Sequence, residues 1–315
     1  MVVDKTPFGI ASGIAAGALW GLVFLAPELT QPFKPFDLAI GRYLAYGAMA
    51  AALAMPSWRR LLSALTWKEW RKLVWLSLTG NIVYYILLAN AVQTGGIAMT
   101  SLVIGVLPVA VTLVGSRDKH AVPLRRLIPS ICLSVTGLAC ISWQSLSTPG
   151  HTSLFGLFCA LGALVSWTLY AVGNSRSLAK LQSISAHEWN LLTGIVTGAL
   201  ALVLAMPAGA STTVTHSSAE WLHFAGVVAG VAVICSVAGN GLWNYASRTL
   251  PLALMGQMIV FESVFALLYG FVWEKRWPTL LECAAITMMI AGVTLCATAH
   301  RQHGTKLTVS ATTSL

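Results

Sequence analysis

Apolar residues run along this chain in long blocks, without the strict alternation of a half-buried strand. Blocks of the same kind recur near 9–27, 38–56, 73–93, 98–115, 127–144, 155–174, 189–207, 222–242, 253–273 and 278–299. A helix of about 20 apolar residues crosses the hydrocarbon core of a bilayer. The pattern therefore predicts an all-α membrane protein of ten transmembrane helices. The connections are short and hold Pro, Ser, Thr and Gly, as in Ser145–Ser153, the expected hinge between two halves. The first block follows Lys5 and continues into Pro27-Glu28-Leu29 without a small-residue cleavage site, which predicts a retained first helix.

The blocks repeat. Phe8-Gly9 and Trp20 recur as Phe155-Gly156 and Trp167, and Asp37, Gly47 and Ala54-Met55-Pro56 as Glu188, Gly198 and Ala205-Met206-Pro207. Glu69-Trp70 recurs as Glu220-Trp221, and Thr94, Gly115, Pro123 and Gly137 recur as Thr249, Gly270, Pro278 and Gly292. The offset grows along the series, as small insertions produce. The expected division is residues 1–147 and 148–300, with a cytoplasmic tail at 301–315. Five helices is an odd number, so consecutive copies insert with opposite topology. That is the inverted-repeat plan of secondary transporters, whose substrate site lies near the midplane between the halves.

Composition agrees with a bilayer environment. Of 315 residues 57% are hydrophobic and 9% charged, against about 25% charged in a typical soluble domain, which excludes a water-soluble fold. The net charge of +9 is explained by position. With a cytoplasmic N-terminus, the inner side receives Lys5, Arg59, Arg60, Lys68, Arg71, Lys72, Arg117, Lys119, Arg125, Arg126, Arg176, Lys180, Arg248, Arg301 and Lys306. Lys34, Lys275 and Arg276 fall outside and Arg42 lies within a helix. Basic residues concentrate in cytoplasmic loops, so both termini are expected there and no nucleic-acid partner is implied.

Several of these residues carry a resemblance. Ala18-Leu19-Trp20-Gly21, the segment Asp37 to Ala45, Leu107-Pro108-Val109, the run Phe261-Glu262-Ser263-Val264-Phe265, and Trp273-Glu274-Lys275 are similar to motifs of the drug/metabolite transporter (DMT) superfamily, EamA type. Within it the chain most resembles the YddG-type aromatic amino acid exporters, over nearly its whole length. The resemblance implies a multi-pass protein of the bacterial inner membrane that exports a small-molecule substrate, foremost aromatic and other amino acids, by alternating access. Two positions depart from the pattern. The family's Glu-Pro pair in the ninth helix reads Glu262-Ser263, and Arg117-Asp118-Lys119 stands where the first half has its Glu.

The candidate working residues are polar or aromatic groups at depth. Glu262 lies ~13 Å along the ninth helix at 1.5 Å per residue, near the midplane. It either carries a coupling proton or meets a substrate ammonium, or else stays protonated and hydrogen-bonded between helices. Arg42 offers a planar fork to a substrate carboxylate, or snorkels to headgroups, or ties two helices together. Trp20, Trp167, Tyr84, Tyr85 and Tyr170 stand at cavity depth, where rings would hold a planar side chain; the alternative is an interfacial aromatic belt, as assigned to Trp58, Trp67, Trp70, Trp75, Trp221, Trp243 and Trp277. Asn81 and Gln257 are the amides best placed for substrate contact, with interhelical hydrogen bonding as the alternative. Gly9, Gly13, Gly17 and Gly21 form a small-residue stripe for close packing. Pro108 would kink the fourth helix beside the cavity.

Other classes fit less well. His187-Glu188 is followed by Leu191 where a metalloprotease helix needs His, and no Gly-x-Ser-x-Gly occurs, so no enzyme is expected. The six cysteines lie in apolar runs without metal-ligand spacing and are expected to pack; no metal or cofactor is expected. A cation-drug exporter would be expected to place several acids at depth, and one stands there. A passive channel is the remaining alternative.

Overall fold

A computed structural model describes residues 6–95, 100, 103–118, 121–146, 154–181, 183–208, 216–273 and 275–313, and every regular element among them is helical. We label them α1 (Thr6–Gly21), α2 (Pro35–Ala54), α3 (Trp67–Ser77, continued by Val83–Gly95), α4 (Leu107–Gly115), α5 (Leu124–Leu146), α6 (Leu154–Lys180), α7 (Ala186–Ala208), α8 (Ser218–Val231, continued by Asn240–Thr249), α9 (Leu252–Met258 and Val260–Trp273) and α10 (Leu280–Thr313). A short helix, Trp58–Ala64, stands between α2 and α3. α10 runs on through Thr313, where a tail was expected from residue 301. Of the expected hinge, Ser145–Ser153, the first two residues end α5 and the rest lies outside the described residues.

Among the described residues, seven helices are long and apolar enough to cross a membrane: α2, α3, α6, α7, α8, α9 and α10. α1 is not among them, since it runs 16 residues before tightening into a 3-10 turn at Leu22–Leu25. α4 has nine described residues, and α5 opens on Arg125-Arg126.

Acidic residues start the helices. The Glu69 carboxylate accepts from the Thr66 backbone N–H at 2.5 Å, Glu188 from Ser185 at 2.9 Å, Glu220 from Ser217 at 2.7 Å and Glu282 from Thr279 at 2.7 Å. Asp37 does the same more loosely for Lys34, at 3.3 Å. Each takes up a donor that a helix start leaves free. The repeat matches Asp37 with Glu188 and Glu69 with Glu220 therefore record shared helix starts.

The chain breaks helical geometry at two places. α9 is interrupted at Ile259, and the chain before α4 turns at Gly105-Val106. Pro108 therefore stands in the first turn of α4 instead of bending a continuous helix as expected. Its missing N–H is harmless there, because the first turn has no intrahelical acceptor for it. α3 and α8 are continuous but pass through π-helical segments, Leu78–Ile82 and Ala232–Gly239.

The principal packings join α2 to α7, α5 to α10, α3 to α6, α1 to α8 and α9, and α4 to the first part of α9. In a bilayer the lipid is as apolar as the helices, so small residues that admit close backbone approach decide these crossings. At α2 and α7, a Cβ on Gly47 or on Gly198 would come within 2.6 Å of the other's Cα. At α5 and α10, a Cβ on Gly137 would meet the Ala285 carbonyl at 2.8 Å and one on Gly292 the Ser130 carbonyl at 2.9 Å. Both glycine pairs are partners in the sequence repeat.

The two ends of the bundle differ. At one, Arg60 pairs with Glu188 and Arg176 with Asp118, while Arg248 donates to the Leu178, Leu181 and Ile184 carbonyls. At the other, Phe33 stacks on His216 and Phe224 with centroids 4.1 and 4.2 Å away, and Arg276 grips Glu282 through two hydrogen bonds of 2.8 and 2.9 Å.

Candidate functional site

Glu262 falls in the first turn of the second part of α9, directly after the break at Ile259. A carboxylate is favoured at a helix N-terminus, which lowers the cost of placing it at this depth. α1 brings its glycine stripe against this point: a Cβ on Gly17 would lie 2.7 Å from the Phe261 Cβ and 2.9 Å from the Glu262 nitrogen, and one on Gly21 2.9 Å from the Ala266 nitrogen. Gly9 and Gly13 continue the contact to Leu250 and Met258. The stripe thus packs α1 along α9, as the spacing of four predicts.

The Glu262 side chain is half-buried and makes no hydrogen bond or ion pair among the described residues. Asp37, Glu69, Asp118, Glu188, Glu220 and Glu282 are each held by a helix cap or a cation. Arg42, on α2, is half-buried and donates through Nε to Ser236 Oγ at 3.1 Å, with its guanidinium carbon 5.6 Å from the Tyr43 ring centre. No hydrogen bond engages its two terminal nitrogens among the described residues. Arg42 and Glu262 form no ion pair with each other.

Tyr84 and Tyr85 are half-buried on α3, and the Tyr85 ring meets Tyr43 edge-on at 6.3 Å. Asn81, also half-buried, donates to Thr197 Oγ1 at 3.1 Å. A cavity of about 460 Å³ lies farther along α9, lined by Leu25, Tyr269, Val272, Trp273 and Lys275. Tyr269 stands roughly two helical turns beyond Glu262, so this cavity lies toward the far end of α9 and is not the charged site itself.

Trp20, Trp167 and Tyr170 are buried and pack together. Trp20 meets Trp167 at 6.4 Å and Trp167 meets Tyr170 at 5.8 Å. Trp243, read from the sequence as an interfacial ring, is only 2% exposed and completes the cluster, 5.1 Å from Trp20 and 5.7 Å from Trp167. Its indole nitrogen has no hydrogen-bond partner among the described residues. Trp58, Trp67, Trp75, Trp221 and Trp277 are exposed, whereas Trp70, also expected in the belt, is half-buried against the core.

The comparisons with known proteins decide the family. The model of the EamA-like transporter family matches residues 7–143 and, a second time, 154–298. The chain belongs to the EamA-like transporter family. It is 30% identical to the inner membrane protein YtfF of Escherichia coli K12 over 305 residues, covering 91% of this chain and 94% of YtfF. It is 22% identical to the uncharacterized transporter YoaV of Bacillus subtilis 168, covering 90% and 92%. A solved crystal structure shares the fold at a TM-score of 0.75 and 19% identity, over 94% of this chain and 98% of its own. The protein is a multi-pass membrane transporter.

In this EamA-like transporter Gln257 does not present a free amide. It is fully buried, its nitrogen donates to Thr112 Oγ1 at 3.0 Å, and its oxygen accepts from Ser134 Oγ at 3.0 Å, so it ties α9 to α4 and α5. Gln257→Leu leaves both hydroxyls without that partner, at about 1–3 kcal/mol of stability. The expected result is a lower Tm in detergent with an unchanged substrate KM, measured by thermal unfolding and uptake on the same preparation.

Sequence reasoning missed Asn190. It is fully buried on α7, takes the Tyr46 hydroxyl on its side-chain oxygen at 2.6 Å, and donates to the Val237 carbonyl at 2.8 Å. The signal was an amide within an apolar run, partly hidden by its nearness to His187-Glu188.

Proposed function

We propose that this transporter exports small zwitterionic metabolites, foremost aromatic amino acids, from the cytoplasm by alternating access between two inverted halves of five helices, with both termini cytoplasmic. The carrying observation is the pair Arg42 and Glu262: two opposite charges, half-buried on helices of apolar sequence, with no ion pair to each other and their charged ends unclaimed among the described residues. A salt bridge would satisfy both if nothing else had to fit. An α-amino acid brings a carboxylate for the guanidinium fork and an ammonium for the carboxylate, while Tyr84 and Tyr85 supply faces for a ring. Several observations support the inverted halves. The family model matches twice, repeat-related glycines meet reciprocally at the α2–α7 and α5–α10 crossings, and breaks recur before α4 and within α9. Discontinuous helices at mid-membrane are where such carriers hold charged substrates. The end that gathers Arg60, Arg176 and Arg248 is the cytoplasmic one in this reading.

Purified protein in proteoliposomes tests the proposal with labelled Phe, Trp, Thr and methyl viologen, each with and without a pH gradient. Saturable exchange of the amino acids is expected, with the aromatic ones preferred. Transport of methyl viologen alone, or unsaturable flux, would overturn it.

A further inference from the structure

The π segments of α3 and α8 occupy matched places in the repeat. Glu69-Trp70 and Glu220-Trp221 begin these helices and Thr94 and Thr249 end them, so the growth of the repeat offset falls inside them. It coincides with the longer π segment, eight residues in α8 against five in α3. A π bulge absorbs inserted residues while keeping the flanking faces in place, and it leaves backbone carbonyls short of partners.

Here carbonyls of the π segments take side-chain donors from neighbouring helices, in α8 in addition to the Asn240 backbone N–H that reaches both the Cys235 and the Val237 carbonyl. In α8 the Cys235 carbonyl accepts from Trp20 Nε1 at 3.1 Å and the Val237 carbonyl from Asn190 Nδ2 at 2.8 Å. Trp20 Nε1 also reaches Asn240 Oδ1 at 3.0 Å, and Gly239 admits the indole edge, 2.9 Å from where a Cβ would stand. In α3 the Thr79 carbonyl accepts from Ser166 Oγ at 2.8 Å. The donors Trp20 and Ser166 come from the first helix of the opposite half in each case.

Beyond the α8 bulge lies Asn240–Thr249, which contributes several contacts at the basic end. Trp243 stacks on Trp20 and Trp167, Asn244 accepts from Asn174 Nδ2 at 2.7 Å, the Ser247 carbonyl accepts from Ser175 Oγ at 3.2 Å, and Arg248 clasps the α6–α7 connection. The buried, unpartnered Trp243 nitrogen marks this closure as incompletely satisfied.

We propose that the π segment of α8 is the hinge on which Asn240–Thr249 swings to open the basic end, and that Trp20 and Asn190 are positioning residues that latch it shut. This rests on the alternating-access reading above. It gives Trp20 a task other than contacting substrate: its N–H holds the bulge, and its ring covers Trp243.

Trp20→Phe keeps the stacking ring and removes the N–H. The test places a single cysteine at Ser247, which is 3% exposed, in a background whose native cysteines are replaced, and measures its modification by a membrane-impermeant maleimide from the basic side. Trp20→Phe is expected to raise the labelling rate about tenfold, the loss of one or two hydrogen bonds, with KM changed less than threefold and Vmax altered. Asn190→Leu must act in the same direction, and Asn190→Gln, which keeps a donor, must restore the slow rate at least in part. Unchanged labelling in both Trp20→Phe and Asn190→Leu overturns the latch. A tenfold rise in KM with unchanged labelling makes Trp20 a substrate-contacting residue instead. Absence of saturable exchange in the parent protein would strike the carrier reading alone, because labelling at position 247 reports the hinge without transport.

Discussion

In proteoliposomes, Glu262→Gln should raise the KM for phenylalanine by roughly 10–100-fold and erase its preference over 3-phenylpropionate, the analogue without the ammonium. Arg42→Gln should show the mirror image, a similar loss for phenylalanine and none for phenylalanine amide, which lacks the carboxylate. The size follows from a charge-assisted hydrogen bond of about 1.5–3 kcal/mol lost at each pole. Arg42→Lys should recover part of the affinity, since it restores the charge without the planar fork. A carboxylate that carries a coupling proton behaves otherwise: Glu262→Gln would abolish the response to a pH gradient while the preference among analogues survived. Retention of both selectivity and pH response in Glu262→Gln would remove Glu262 from the site altogether.

The selection of Glu262 illustrates which features a sequence carries. An acid inside an apolar run is conspicuous, and so is Arg42 in α2, because charge in hydrocarbon demands a reason. Asp37, Glu69, Asp118, Glu188, Glu220 and Glu282 mark helix starts or pair with a cation, which the sequence hints at through the Thr66/Glu69 and Ser217/Glu220 spacing. The positions of the seven membrane-length helices were legible for a similar reason, since an apolar run of about 20 residues marks a helix long enough to span. What stayed hidden depends on facing. Trp243 lies less than two turns from the end of α8, where a tryptophan ordinarily serves an interface, and only the packing of α8 against α1 and α6 turns it inward. Gln257 read as an available amide because its partners, Thr112 and Ser134, are 145 and 123 residues away in the chain. The π segment of α8 carries no composition signal, since Ala232–Gly239 is as apolar as the Ser218–Val231 run before it. Its only trace was the change of repeat offset between Trp70 and Thr94, which pointed to an insertion without saying how the helix absorbs it.

These facing relations also explain why the charged site depends on a helix that contributes no charge. α1 supplies the latch through Trp20 and sets the position of Glu262 through its glycines, so one helix touches both the hinge of α8 and the break of α9. Opening the basic end by motion of α8 would then be felt at Glu262 through α1, a mechanical link between gate and site made of backbone contact instead of a polar relay.

Gly17→Leu should eliminate transport and most of the folded protein. The new Cβ alone would sit 2.7 Å from the Phe261 Cβ and 2.9 Å from the Glu262 nitrogen, inside contact distance of backbone that has no flexible end to give way. Overpacking of this kind costs about 1–3 kcal/mol when neighbours can relax, and a leucine adds three further carbons to the same gap. Gly17→Ala is the informative intermediate: it should fold with a lowered Tm and a raised KM, because a shift of a few tenths of an ångström between α1 and α9 moves Glu262 before it unfolds anything. Gly230 on α8 provides the control, since a Cβ there meets nothing within 4 Å; Gly230→Leu should leave both Tm and uptake near the parent values. Size-exclusion profiles with thermal unfolding in detergent, and uptake in proteoliposomes, separate the three. Full activity in Gly17→Leu would mean that α1 and α9 do not meet along the glycine stripe, and the link between latch and carboxylate would fall with it.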